Sequence, residues 1–382
     1  MKIAMVCYPT FGGSGVVATE LGMALARAGH EVHFITYSQP VRLALLEKNI
    51  FYHEVDVPEY PLFKHQPYDL ALSSKLVDTV KAYKIEVLHV HYAIPHAYAG
   101  YMAKKMLKEE GIIIPMITTL HGTDITLVGS HPFYKTAVTF SINKSDIVTA
   151  VSENLKDTTF EMFEVNREIE VVPNFIDAAK FAETQKQPCD RNLMALKEEF
   201  IITHVSNFRP VKRIEDVILV FKQILDKHPA VLVMVGEGPD RIKAERLSKE
   251  LGIYSKVKFL GNSVEIDRVL CMSDLFLLPS RQESFGLAAL EAMINKTPVI
   301  SSNAGGLPEV NIHGVSGYVT EIGDIEKMSE YALAILKDSK TLNTFKENAK
   351  KTALAFDLPK VLPLYELIYE KAYKARNQNS EL

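Results

Sequence analysis

Cysteine is scarce in this chain: Cys7, Cys189 and Cys271 are the only three among 382 residues, far apart and odd in number. Such a set does not build a disulfide framework, which predicts a reducing compartment. Without a Cys-x-x-Cys pair a zinc knuckle is excluded. No uncharged apolar run reaches about 18 residues, so no segment is expected to span a membrane. The apolar start, MKIAMVCYP, is too short for a signal-peptide core and lacks a small-residue cleavage site. It reads as a buried strand, and a cytoplasmic location is expected. Neither charge dominates, with 43 Lys and Arg against 47 Asp and Glu. That balance argues against a protein built to hold nucleic-acid phosphates, while leaving room for a local site for one small anion.

Several chemical signatures are missing as well. There is no P-loop lysine pattern, which disfavours a kinase or NTPase, and no Gly-x-Ser-x-Gly elbow for a hydrolase triad. No two aspartates stand two apart, so no Asp-x-Asp clamp exists for a metal–nucleotide complex. Low-complexity segments and short repeats are absent. What remains is 47% apolar and 24% charged, the mix of a globular protein.

Short apolar, β-branched runs alternate with amphipathic stretches along the whole chain. Lys2–Cys7, Glu31–Thr36, Val87–His91, Ile113–Leu120 and Ile147–Ala150 read as strands in the first half. Ile201–Ser206, Val231–Val235, Val257–Leu260, Leu275–Leu278, Pro298–Ser301 and Tyr318–Thr320 do so in the second. Runs apolar on both faces, separated by helical patterns such as Val16–Ala28, predict parallel sheets covered on both sides. The fold class is therefore α/β, with two doubly wound domains. The boundary is expected near Val172–Asp177, giving domains of residues 1–170 and 171–357. The amphipathic stretch from Leu358 has no strand to cross over from, and is expected as a capping helix packed back on the first domain.

Three junctions carry chemistry. Gly12-Gly13-Ser14-Gly15 joins the first strand to its helix, where glycines let a ligand approach the backbone and free N–H groups meet the positive end of the helix dipole. Ala18 replaces the third glycine of a dinucleotide fingerprint, which disfavours an NAD role. The plain alternative is a tight turn. Ser206-Asn-Phe-Arg-Pro-Val-Lys-Arg213 brings Arg209, Lys212 and Arg213 to a strand's carboxyl end and a helix start. Cations there oppose the helix dipole, a conflict that a bound anion relieves; otherwise the segment is a solvated basic loop. In Pro279–Met293, Glu283 precedes a helix beginning near Phe285–Gly286, and Glu291 lies inside that helix among apolar neighbours, where a carboxylate needs a partner or a ligand. Singly, the two glutamates read as a cap and a structural ion pair. His89-Val-His91 has the look of a metal pair, but without a third ligand the reading is of two satisfied strand histidines.

The Glu-x7-Glu element with SFGLAALEAM, the preceding DLFLLPS and the following TPVISSNAGGLPE together resemble the retaining glycosyltransferases of family 4. VGEGPD and FLG resemble that family's nucleotide domain; GGSG, HVHYAIPHA and TLHGTD resemble its acceptor domain. The resemblance spans essentially the whole chain. It implies the GT-B fold, two Rossmann-like doubly wound parallel-sheet domains facing a cleft, the first binding the acceptor and the second the nucleotide sugar. Within the family, CYPTFGGSGVVATELG, YDLALSSKL, HYAIPHAYA and TTLHGTDITLVG are similar to the members that open bacillithiol synthesis, which implies UDP-GlcNAc as donor and L-malate as acceptor. The alternatives are a sugar, an inositol phosphate or a lipid acceptor, the last supported only by a faint basic amphipathic stretch at Ala99–Lys108. From other classes, a two-domain binding protein without chemistry is weighed down by the paired glutamates and an oxidoreductase by the incomplete fingerprint.

Carried onto this sequence, the resemblance implies that Glu291 binds the ribose hydroxyls and Glu283 the donor sugar. Ser284, Phe285, Gly286 and Leu287 would offer main-chain N–H groups, and Lys212 would neutralise the diphosphate. Many relatives have arginine where Asn207 stands; Arg209 is expected to substitute. Gly15 approaches the diphosphate, Asn262 lies where the uracil is held, and His121 contacts the donor sugar. Tyr92, Thr119 and Asn154 are candidates for the acceptor, with Lys135 as its candidate cation and Lys64 reading more simply as a surface lysine. Cofactors and metals are not expected, nor are nucleic-acid partners or stable membrane insertion, and a homo-oligomer is compatible with the sequence.

Overall fold

The computed structural model describes residues 1–10, 12–184, 189–263 and 265–379. They form two compact units. One comprises Met1–Asn174 and the chain from Pro359 onward, the other Phe175–Leu358.

The first unit is built on seven parallel strands: β1 (Lys2–Val6), β2 (Glu31–Thr36), β3 (Ile50–Glu54), β4 (Val87–His91), β5 (Met116–Leu120), β6 (Ile147–Ala150) and β7 (Ile169–Val171). Their order across the sheet is β3-β2-β1-β4-β5-β6-β7, every pairing parallel. The central strands β4 and β5 are buried at every residue, as expected of strands covered on both faces. The sequence reading lacked β3 and β7. Both are edge strands, and each carries charged or exposed residues (IFYHE and IEV) instead of a doubly apolar run. The helix after β1 spans Gly13–Arg27 and so begins inside the glycine cluster rather than after it.

The second unit holds six parallel strands: β8 (Phe200–Val205), β9 (Ala230–Val235), β10 (Val257–Gly261), β11 (Leu275–Leu278), β12 (Val299–Ser302) and β13 (Gly317–Thr320), in the order β10-β9-β8-β11-β12-β13. Helix Ile214–Leu225 shows how the core is built. Ile214, Val217, Ile218, Phe221 and Ile224 recur at helical spacing and are all buried against Leu232, Met234 and Leu277. Burial of each such side chain contributes about 1.5–3 kcal/mol.

The C-terminal helix Leu358–Asn379 belongs, from Pro359, to the first unit. It buries Val361, Tyr365, Ile368, Tyr369 and Ala372. Tyr369 places its hydroxyl 2.6 Å from His89 Nδ1 in β4, while Lys371 pairs with Glu170 of β7 at 2.6 Å. One expectation is corrected. Cys189 and Cys271 are joined as a disulfide, with Cα atoms 6.0 Å apart across 82 residues of sequence, and Cys7 alone is free and buried. An odd count spread along a chain hides such a pair, because distance in sequence places no limit on distance in the fold. No helix among the described residues is long and apolar enough to cross a membrane.

The packing of the last helix gives a stability prediction. Tyr369→Ala, which empties a fully buried site, is expected to cost about 3–5 kcal/mol. Tyr369→Phe, which only leaves His89 Nδ1 unpartnered, is expected to cost about 1–3 kcal/mol. Denaturant unfolding of both variants checks the ranking, and equal losses would show that the hydroxyl carries the whole effect.

Candidate functional site

In each sheet the strand order reverses once, between β1 and β4 in the first unit and between β8 and β11 in the second. At such a switch point the crossovers leave toward opposite sides, and the loops at the carboxyl ends of the two strands separate into a crevice that binds ligands. The segments there are the ones the motifs single out: Tyr8–Thr10 with the helix start at Gly12–Gly15, and Tyr92–Ala97, in the first unit, and Ser206–Arg213 and Pro279–Gly286 in the second.

In the second unit the two loops are bonded to each other. Arg281 N–H donates to Val211 O at 2.7 Å. The Lys212 ammonium and the Glu283 carboxylate form an ion pair, both half-buried. The Ser206–Arg213 loop is fixed from below by His204, whose Nδ1–H donates to Leu277 O at 2.8 Å. Its other nitrogen is therefore an acceptor and takes the Ser206 hydroxyl at 2.7 Å, while that hydroxyl oxygen accepts from Phe208 N–H at 3.3 Å. The three cations of the motif separate. Arg213, at φ +52°, turns to Asp216 in the first turn of the next helix, at 2.5 Å; Lys212 turns to Glu283; and Arg209 and Asn207 stand exposed. Gly286 caps helix Leu287–Ile294 at φ +102°, and a Cβ there would lie 2.6 Å from Leu307 Cδ2. Glycine is thus required both by conformation and by space. It leaves the first N–H groups of the helix, from Leu287 on, at the positive dipole end. Glu291 sits one turn below Leu287 on the same face and is half-buried. Ser284 and Phe285 precede the cap, Phe285 buried. Asn262 is exposed directly after β10.

In the first unit Gly15 lies in the first turn of its helix, where a Cβ would meet Tyr8 O at 2.4 Å and Thr10 O at 2.7 Å. The close approach is thus to the chain's own loop. Tyr92, at φ +88°, follows β4 and shares a 2.5 Å hydrogen bond between its hydroxyl and Ser14 Oγ, joining this loop to the first turn of the helix after β1. Burial pushes the Tyr92 phenol well above its usual range, so it is a neutral hydroxyl. His121 follows β5, with its Nε2 2.8 Å from His91 Nδ1 and its ring 5.2 Å from that of Tyr92. Thr119 is fully buried, its hydroxyl between His89 Nε2 at 2.8 Å and Thr149 Oγ1 at 2.7 Å. Lys135 is exposed on helix Pro132–Lys144, and Asn154 is exposed in the first turn of helix Glu153–Met162. Lys64 is exposed in the stretch before helix Tyr68–Tyr83. Among the described residues no three His, Cys, Asp or Glu come together as a metal-holding group, the His89/His91 pair included.

Asp124 is the residue that sequence reasoning missed. It is 2% exposed. Its Oδ1 accepts from the N–H groups of Gly122 at 2.9 Å and His121 at 3.2 Å, and its Oδ2 from Ala93 N–H at 2.8 Å. One carboxylate thus clamps the loop after β4 to the loop after β5. Burial raises its pKa to about 6, against the pull of those donors. The available signal was an aspartate three residues after a strand-end histidine, the spacing of a side chain that bonds back to main-chain N–H groups.

Comparison with known proteins gives a consistent result. The model of the glycosyl transferases group 1 family matches residues 189–352, and that of Glycosyltransferase Family 4 matches residues 11–180. The N-acetyl-alpha-D-glucosaminyl L-malate synthase of Bacillus anthracis is 44% identical over 370 residues, 97% of this chain and 96% of its own. The phosphatidylinositol N-acetylglucosaminyltransferase GPI3 subunit of Saccharomyces cerevisiae is 22% identical over 90% of this chain and 77% of its own. Among solved structures, Anabaena Alr3699/HepE in complex with UDP-glucose matches with a TM-score of 0.77 at 21% identity, covering 97% of this chain and all of that one. Sucrose-phosphate synthase from Thermosynechococcus elongatus matches at 0.76 and 20%, covering 98% and 100%. These likenesses establish the GT-B fold.

The buried histidines make stability depend on pH in a direction that can be worked out. Burial lowers His89 and His121 from 6.5 to about 3, and His96 and His204 to about 4. The unfolded chain takes up these protons near pH 6.5 and the native one does not. Their contribution is therefore complete above about 6.5 and is lost as pH falls toward 4–3. Asp124 acts oppositely between about 6 and 3.8, one group against these four together with His33 and His91, which burial also lowers. The melting temperature is expected to fall as pH is lowered from 7 to 5, and a flat or rising profile in thermal melts would contradict the neutral buried rings.

Proposed function

The chain belongs to glycosyltransferase family 4, and from that membership we propose that it transfers N-acetylglucosamine from UDP-GlcNAc to the hydroxyl of L-malate, with UDP leaving and the anomeric configuration retained. The product is N-acetyl-alpha-D-glucosaminyl L-malate, an entry compound of bacillithiol synthesis. The observation that carries the reading of the donor site is the second unit's switch point, where Lys212, Glu283 and the glycine-capped helix start come together. The choice of malate is supported by the 44% identical synthase, whose similarity runs along 97% of this chain.

The difficulty of the reaction is electrostatic. As the glycosidic bond breaks, negative charge gathers on the diphosphate and the anomeric carbon becomes oxocarbenium-like. In this reading Lys212, Arg209 and the N–H groups at Gly286–Leu287 are donors already in place for that charge, which costs no reorganisation during the reaction. Glu283 takes hydroxyls of the sugar and Glu291 those of the ribose, with Asn262 beside the base. No carboxylate is assigned as a covalent nucleophile. The acceptor hydroxyl attacks from the face the diphosphate leaves, and a diphosphate oxygen receives its proton. In the first unit, Tyr92, Ser14 and His121 supply neutral hydrogen-bond donors suited to an acceptor rich in carboxylate oxygens.

UDP release is to be measured with UDP-GlcNAc and a panel of malate, other hydroxy acids, an inositol phosphate and simple sugars. Malate is expected to stand far above hydrolysis by water, and turnover with malate no faster than hydrolysis would refute the acceptor. Lys212→Ala and Glu291→Ala are each expected to lower transfer by about 10²–10³-fold or more with an unchanged melting temperature. Wild-type rates in either would remove the donor site proposed here. Activity is expected to persist in excess EDTA, since fixed cations and main-chain amides take the charge; a strict metal requirement would overturn that scheme.

A further inference from the structure

The histidines of His89-Val-His91 are both buried, but they are not equivalent. His89 has both ring nitrogens hydrogen-bonded, to Tyr369 and to Thr119. His91 has one partner: its Nδ1 lies 2.8 Å from His121 Nε2, and its own Nε2 is buried with none. Two proton arrangements are compatible with the 2.8 Å contact. In the first, His121 Nε2–H donates to His91 Nδ1, which puts the proton of His91 on Nε2 as a buried N–H with nothing to receive it. In the second, His91 Nδ1–H donates to His121 Nε2, and the unpartnered atom is a lone pair. Orphaned buried N–H groups are rarer than under-used lone pairs, and leaving a buried donor unmet is expensive. The second arrangement is favoured. Neighbouring His96 repeats it: its Nδ1 stands 2.5 Å from the carbonyl oxygen of His91 and must donate, and its buried Nε2 keeps an unpartnered lone pair.

We infer that His91 is a positioning residue, whose Nδ1–H donates to His121 Nε2 and fixes the tautomer in which His121 offers an Nδ1–H donor to the transferred sugar or the acceptor hydroxyl. The inference rests on the reading of His121 as a ligand-contacting residue. The other tautomer would present a lone pair at Nδ1, which could accept from a hydroxyl but could not donate to an oxygen of the ligand. Which ring nitrogen carries the proton is set by the bond the other one makes, and here that bond comes from one strand over, across the β4–β5 pairing of His91 with Thr119.

The test is ¹⁵N NMR of histidine-labelled protein without substrates, with His121→Ala identifying the signals of that ring. Wild type is expected to carry the His121 proton on Nδ1. So is His91→Asn, whose amide can donate in place of the imidazole, whereas His91→Phe, of comparable bulk and without a donor, is expected to show mixed tautomers. Transfer by His91→Phe should fall roughly ten- to a hundredfold in kcat/KM, with UDP affinity unchanged because UDP binding reads the second unit, and His91→Asn should recover most of the loss. An Nε2–H His121 in the wild type would overturn the inference, as would a His91→Phe enzyme as active as wild type. Should His91→Phe fail to fold, the wild-type spectrum and His91→Asn still decide. Absence of sugar transfer altogether, with the tautomer as stated, would bring down the proposed function and its ligand while the His91–His121 arrangement stood.

Discussion

A parallel sheet must send its crossover helices over one face or the other, and where the direction of winding changes, two adjacent loops are pulled apart. That constraint organises each half of this molecule. β1 and β4 flank the change in the first sheet, β8 and β11 in the second. The crevice itself follows from topology, but a gap between two loops would not hold geometry without cross-bonds. The bonds found there are specific: Tyr92 to Ser14 in one unit, Arg281 to Val211 and Lys212 to Glu283 in the other. Each ties one side of a switch point to the other, Ser14 from the first turn of its helix and the rest from the loops, so the crevice keeps its geometry.

Beneath the first of these crevices the sheet has a polar interior, which is unusual for strands buried on both faces. His89, His91, Thr119 and Thr149 lie in the middle of the β4–β5–β6 ladder with no exposure. They persist because their partners are other buried neutral groups. Tyr369 of the C-terminal helix serves one end of the chain of hydrogen bonds and Thr149 the other. Burial holds these rings uncharged, which avoids the cost of an isolated charge in low dielectric. The same neutrality suits the role proposed for the loops above, to which His121 and Tyr92 bring directional donors and not net charge. The helix that returns from the far end of the sequence is thus more than a lid on apolar surface: it completes a hydrogen-bonded column that ends two residues from a loop of the site.

The doubly wound α/β organisation was legible because its signal is redundant. The central strands read as short, largely apolar or β-branched runs, and their helices repeat at 3.6, so either pattern alone identifies the unit. β3 and β7 were not legible for the same reason, since an edge strand has one partner and one wet side, and Ile50–Glu54 reads as an ordinary polar stretch. Within the site, Lys212 and Glu291 stood out because each breaks a local rule, a cation where the dipole disfavours one and a carboxylate inside an apolar helix, while Glu283 and Gly286 stood out by bracketing that helix's start. Asp124 breaks no such rule; acidic residues are common after a strand, and only its three main-chain donors, set by the meeting of two loops, reveal its part. The disulfide between Cys189 and Cys271 was hidden by the same kind of long-range juxtaposition.

The cations show how a rule-breaking pattern resolves in three dimensions. Read in one dimension, Arg209, Lys212 and Arg213 form a single cluster awaiting an anion. In the fold, Arg213 is neutralised within its own helical turn by Asp216, which removes the dipole conflict at that position without any ligand. Lys212 is matched by Glu283 from the opposite loop. A half-buried ion pair of this kind adds little to stability by itself, because desolvation consumes most of the attraction. Its value is that each member is held ready. Under the proposed function, Lys212 would exchange a carboxylate oxygen for a phosphoryl oxygen without being desolvated anew. Glu283, released from the ammonium, becomes an acceptor for hydroxyl groups at the distance the pair had set. In the proposed reading the arrangement therefore couples the diphosphate to the sugar joined to it: charge taken by the lysine frees the carboxylate for the sugar's hydroxyls.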